Sequence, residues 1–67
     1  MTEYKIEKIE TEEADRIIET RFPLGLFYVL SAGIYYGIDN SNGKAWTEEF
    51  PNLRECKRWL NDINLVV

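Results

Sequence analysis

Apolar and polar positions change rhythm several times along this chain. Tyr4 and Ile6 alternate with charged neighbours, the period of a short half-exposed strand, and Ile9 then breaks it. From Thr11 the spacing becomes helical. Ala14, Ile17, Ile18 and Arg21 fall at i, i+3, i+4 and i+7, a narrow apolar stripe completed by an aliphatic stem. Thr11 is the expected N-cap, with Glu12 and Glu13 in the first turn, where the helix dipole favours acids. Pro23 disfavours helical geometry at Phe22, so the pattern predicts a helix over Thr11–Thr20 that ends before Pro23 and Gly25.

Three strands should follow. Leu26–Leu30 and Ile34–Asp39 are rich in aromatic and branched residues, and Ser31-Ala32-Gly33 can join them. Asn40-Ser41-Asn42-Gly43 is a turn signal, because Asn and Gly accept positive φ; Lys44–Phe50 is then the third strand, stopped by Pro51. Asn52 can cap a last helix whose Leu53, Cys56, Leu60 and Ile63 share one stripe, with Trp59 beside it and Arg54, Lys57 and Arg58 elsewhere. The apolar tail, residues 64–67, should pack, with an edge strand as one way to do so. A sheet with one wet face would alternate apolar and polar cleanly. Here Leu26, Tyr28 and Leu30 oppose Phe27 and Val29, Ile34, Tyr36 and Ile38 oppose Tyr35 and Gly37, and Trp46 and Phe50 oppose Ala45 and Thr47. Both faces therefore need cover: one from the C-terminal helix, the other from the N-terminal helix, a second subunit or a partner. Trp46, Phe50, Leu53, Cys56 and Leu60 are the expected core under the C-terminal helix. Residues 1–67 thus read as a single α+β domain, a small antiparallel three-stranded β-meander with room for a fourth, terminal strand, between an N-terminal helix and a C-terminal amphipathic helix.

Composition narrows the chemistry. A chain of 67 residues buries only roughly 60% of its unfolded surface, so packing or self-association must make up the stability. One cysteine allows no internal disulfide, and with no histidine a structural zinc site is not expected. An unpaired thiol, a polar start and the lack of a long apolar run point to the cytoplasm. The net charge of −4 lies wholly in residues 1–20, where seven acids face three bases; the remainder carries five of each. Such an acidic segment repels nucleic acid and can attract a basic surface; as a solvated helix face it also keeps a small protein soluble.

No group of residues reads as an active site. Counted from Asp39 as a calcium loop, the fifth position is Gly43, the sixth Lys44 and the twelfth Phe50, which removes the required ligands. Glu48 and Glu49 are adjacent on a strand, point to opposite faces and cannot form an acid/base pair. Cys56 falls on an apolar stripe, the setting of a core thiol rather than a nucleophile. No cofactor is expected and the chain is not expected to be an enzyme. Candidate contact residues are Tyr28, Tyr35 and Tyr36, since tyrosine brings area and a polar handle to interfaces. Arg54 and Arg58, four apart on a helix, could receive an acidic segment, including Glu12, Glu13 and Asp15 of a second copy.

The stretch from Phe22 to Leu60 resembles short uncharacterised proteins of Gram-positive bacteria and their phages or conjugative elements. The resemblance rests on Gly37–Asn40, on the Ala-Trp-x-Glu-x-Phe strand Ala45–Phe50 and on a helix bearing Trp59–Leu60. It implies a bacterial or phage origin and no activity. The function expected from the sequence is a non-catalytic protein–protein interaction module that self-associates as a homodimer. Two alternatives stand beside it. One is a single-stranded nucleic-acid binder using a tyrosine-rich sheet face with Lys44, Arg54, Lys57 and Arg58, although the acidic balance makes nucleic acid an unfavoured partner. The other is an acidic mobile-element inhibitor of a host protein, acting through Glu12, Glu13 and Asp15.

Overall fold

The computed structural model describes residues 4–66, with side chains as far as Asn64. Strand β1 is only Ile6–Lys8. Ile9 breaks the alternation because there the chain leaves the strand: its N–H donates to the Tyr28 carbonyl at 2.9 Å and its side chain turns into the core. Helix α1 spans Thr11–Thr20, as the spacing predicts. Its N-cap is Glu10 rather than Thr11, since Glu10 is the last extended residue (φ −90°, ψ 164°) and its carbonyl already accepts the Ala14 N–H at 2.9 Å. The Glu13 carboxylate accepts the Glu10 N–H at 3.4 Å. Arg21 lies beyond the helix in the left-handed C-cap position (φ 65°), and its guanidinium donates to the carbonyls of Ile18 and Gly43.

Strands β2 (Gly25–Ser31), β3 (Ile34–Asn40) and β4 (Trp46–Phe50) form the expected antiparallel meander. Ala32 and Gly33 join β2 to β3 with φ of 52° and 79°, the two positive values that a type I′ hairpin requires. The fourth strand is the N-terminal one. β1 pairs parallel with β2, Ile6 opposite Leu26, so the sheet is mixed, in the order β1-β2-β3-β4. The parallel pairing follows from α1, which carries the chain back to the starting end of the sheet, a step a tight turn cannot make. The C-terminal segment is not an edge strand: helix α2 runs Leu53–Val66, and Val67 lies outside the described residues. Asn52 caps α2 as expected, its Oδ1 accepting the Glu55 N–H at 2.9 Å.

Strand alternation sorts the core into two layers. Phe27, Val29 and Ile38 meet Ile9, Ala14 and Ile17 on the α1 side. Leu26, Cys56 and Leu60 pack on the α2 side with Tyr4, Ile6, Tyr28, Tyr35, Phe50, Trp59 and Ile63 around them. The N-terminal helix is thus one cover and the C-terminal helix the other. Trp46 departs from the expected core. It lies on the α2 side at the start of the edge strand, opposite Asp39, and stays 61% exposed with its indole N–H directed at Glu48. The close contact is instead Trp59 on Gly37: a Cβ added at Gly37 would sit 2.9 Å from two carbons of the indole.

Two asparagines stitch the elements together. Asn40, read from sequence as a turn residue, ends β3 and is fully buried. Its amide donates to the carbonyls of Arg21 (2.9 Å) and Pro23 (2.8 Å), and its Oδ1 accepts the Ala45 N–H (3.1 Å). One side chain therefore joins the α1–β2 and β3–β4 connections. Asn64 of α2 binds both backbone groups of Tyr4, accepting the N–H at 3.1 Å and donating to the carbonyl at 2.8 Å, while the Tyr4 hydroxyl donates to the Ser41 carbonyl.

Gly37→Ala should cost about 1–3 kcal/mol, the range for overpacking a filled core. Trp59→Leu in the same chain should recover part of that loss, and strictly additive urea midpoints would show that the contact does not exist. Asn40→Ala should cost at least about 1–3 kcal/mol, because it leaves the buried Ala45 N–H without its acceptor and frees two part-buried carbonyls. A midpoint close to that of the native chain would contradict the role of this amide.

Candidate docking surface

A helix is about 10 Å across, whereas four strands about 4.8 Å apart make a wider sheet. On the α1 side the helix packs against β2 and onto Ile38 of β3, and the face of β4 with Tyr36 of β3 beside it is open. The opening is a groove of about 320 Å³ lined by Thr11, Ala14, Asp15 and Ile18 of α1 and by Val29, Ser31, Tyr36, Ile38 and Thr47 of the sheet. Helical spacing puts the α1 residues on one flank, and strand alternation puts the sheet residues on one face. Ile18 is 42% exposed at the rim, and Tyr36 is half-buried beside the core. Glu49, opposite Tyr36 on β4, is exposed on the same face as Thr47. The result is a largely apolar groove edged by hydroxyls and the Asp15 carboxylate, with Glu49 next to Tyr36 on the same sheet face.

The candidate residues are divided by this geometry. Tyr28 and Tyr35 lie together on the α2 side, ring centroids 6.5 Å apart, and the Lys57 ammonium stands 5.7 Å from the Tyr28 ring centre. Tyr36 is on the opposite face, so the three tyrosines form no common platform. Asp15 borders the groove, Glu13 borders the other flank of α1 near Phe22 and Phe27, and Glu12 is exposed. The three acids therefore do not act as one cluster. Arg54 and Arg58 share a depression of about 560 Å³ with Asn52 and Glu55. It is the larger hollow, yet four exposed polar side chains give it no apolar floor. Lys44 does not join those arginines. Its loop lies at the Tyr4–Asn64 end of α2, and Asn64 is about 15 Å along the helix from Arg54 at 1.5 Å per residue.

Of the residues on this face, the sequence singles out Tyr36 and Asp15 as candidates but not Ile18, Thr47 or Glu49. The exposed half of the α1 stripe, Ile18 beside buried Ile17, was the available signal. Among the described residues every buried side-chain nitrogen or oxygen has a hydrogen-bond partner, so none is left aimed at a ligand. Among them too, no helix is long and apolar enough to cross a membrane. Cys56 is fully buried between α2 and β3, and removal from water pushes its thiol pKa up. No protein-family model matches this sequence, and neither a curated protein nor a solved structure matches it.

The folded thiol should resist an aromatic disulfide reagent at pH 8 and react fully once urea unfolds the chain. Because folding raises the thiol pKa, the stability held by the neutral form is complete below the ordinary thiol pKa and declines as pH rises past it. Rapid labelling of the folded protein would place Cys56 at the surface instead.

Proposed function

We propose that this chain is a non-catalytic protein–protein interaction module whose partner docks on the open β3–β4 half of the α1 side. The observation that carries this reading is the groove itself: half-buried Tyr36 and exposed Ile18 and Thr47 left open beside α1, over buried Val29 and Ile38. Tyr36 supplies area with a polar tip, the residue chemistry favoured at the centre of interfaces. The acids at the rim, Asp15 and Glu49, argue for a basic partner. Two copies meeting through this face would set acid against acid, a costly juxtaposition at a contact. The homodimer expected from the sequence is therefore a second occupant to be distinguished by experiment. The split of the tyrosines over two faces gives a nucleic-acid reading no surface shared by all three, and the divergence of Glu12, Glu13 and Asp15 gives an acidic inhibitor no single contact patch.

A photo-crosslinking amino acid at position 36 should give a discrete adduct in cells of the organism that encodes the chain, whereas the same group at position 58 should not. Asp15→Lys with Glu49→Lys should reduce the adduct at least tenfold. An adduct of twice the chain mass would make a second copy the occupant. Adducts from position 58 alone, or none from position 36, would contradict the reading.

A further inference from the structure

We propose that the outer edge of β4 takes up an extended, basic segment of a partner by strand addition, and that Glu48 and Glu49 admit this segment while refusing a second copy. This deepens the interaction-module reading and rests on it. The sheet ends at β4 among the described residues, so alternate residues of Trp46–Phe50 direct N–H and C=O groups away from β3. Pairing with β3 is unbroken from Asp39 opposite Trp46 to Tyr35 opposite Phe50, and no proline falls within the strand. Neither bulge nor proline therefore blunts this edge, and charge is the remaining device.

The charges are placed to do that. In an antiparallel pairing of two copies that overlaps all five residues, Glu48 faces Glu48. A parallel, in-register pairing sets both acids beside their own kind. Directly opposed like charges destabilise a strand pair. A segment with two adjacent basic residues meets the opposite situation, because Glu48 projects to the α2 side with Trp46 and Glu49 to the α1 side with Thr47. Its two cations would engage one acid on each face and fix the register. The Trp46 indole, 61% exposed and held to Glu48 at 3.2 Å, offers apolar cover to the added strand. Backbone pairing supplies affinity and alternate side chains supply selection, the division of labour of strand-addition sites.

The test uses the whole isotope-labelled chain and a synthetic hexapeptide with two central lysines flanked by valine and threonine. A control peptide carries two central glutamates. The lysine peptide should bind saturably, slow exchange of the outward β4 amides at least tenfold, and weaken at least fivefold in Glu48→Gln/Glu49→Gln or in high salt. The glutamate peptide should not bind. Shifts confined to Ile18 and Tyr36, with β4 exchange unchanged, would overturn strand addition and leave the docking surface standing. Silence at β4 and at the groove up to millimolar peptide would overturn both, and equal binding of the glutamate peptide would overturn selection by charge. Independently, Glu48→Thr/Glu49→Thr should raise the solution mass towards a dimer at concentrations where the native chain is monomeric. A variant that stays monomeric there would overturn the refusal of a second copy.

Discussion

The mismatch between one helix and four strands governs this molecule. β1 and β2 are parallel, so the chain must cross one face between them, and α1 is that crossing. A ten-residue crossover tied at both ends to neighbouring strands sits over those strands. It reaches Ile38 of β3 but does not lie over β4 or the Tyr36 part of β3. The meander then continues away from the helix, so that α1 meets β3 only at Ile38 and leaves β4 open. On the other face α2 enters after β4 and is free to lie across the sheet, which is why that side closes around Leu26, Cys56 and Leu60. The asymmetry of cover is a consequence of connectivity, and the open groove is what it leaves.

Fixing that geometry in a chain this small takes specific polar contacts as well as apolar burial. Asn40 does at one end of the sheet what a longer core would do elsewhere. Its amide satisfies two carbonyls of the α1–β2 connection and one N–H of the β3–β4 connection, so the place where α1 ends is tied to the place where β4 begins. Asn64 ties the N-terminal segment to α2 across 60 residues of sequence, using both of its amide groups on the backbone of Tyr4. Each replaces backbone pairing where the strands have run out. Gly37 contributes by absence, letting the Trp59 ring rest on the backbone of the central strand.

Local chemistry was legible in the sequence, and spatial consequence was less so. The period of Ala14, Ile17 and Ile18, the Asn52 cap and the alternation of the three strands each follow from short-range rules. All three appear in the fold as expected. The parallel β1 was legible as a strand at Ile6 but not as a partner of β2, because three residues carry no signal of what they pair with. Trp46 misled because apolarity alone does not reveal that a residue on an edge strand stays outside the cover of the helix. Asn40 misled in the opposite sense: its preference for turns concealed a buried role set by residues 17 to 19 positions earlier. The candidate surface was half legible. Surplus apolar faces announced that something would remain to be covered, and Tyr36 was named. Which half stayed open depended on the crossover, which no local pattern encodes.

The central claim is that the β3–β4 half of the α1 side is solvent-open in the free chain. Paramagnetic relaxation by a soluble, neutral gadolinium chelate measures this directly, residue by residue, on the isotope-labelled protein. The account predicts strong enhancement at the side chains of Ile18, Tyr36 and Thr47, with Leu26, Cys56 and Leu60 on the α2 side left quiet. Protection of Ile18 and Tyr36 equal to that of Leu26 would contradict it, since the face would then be covered in solution.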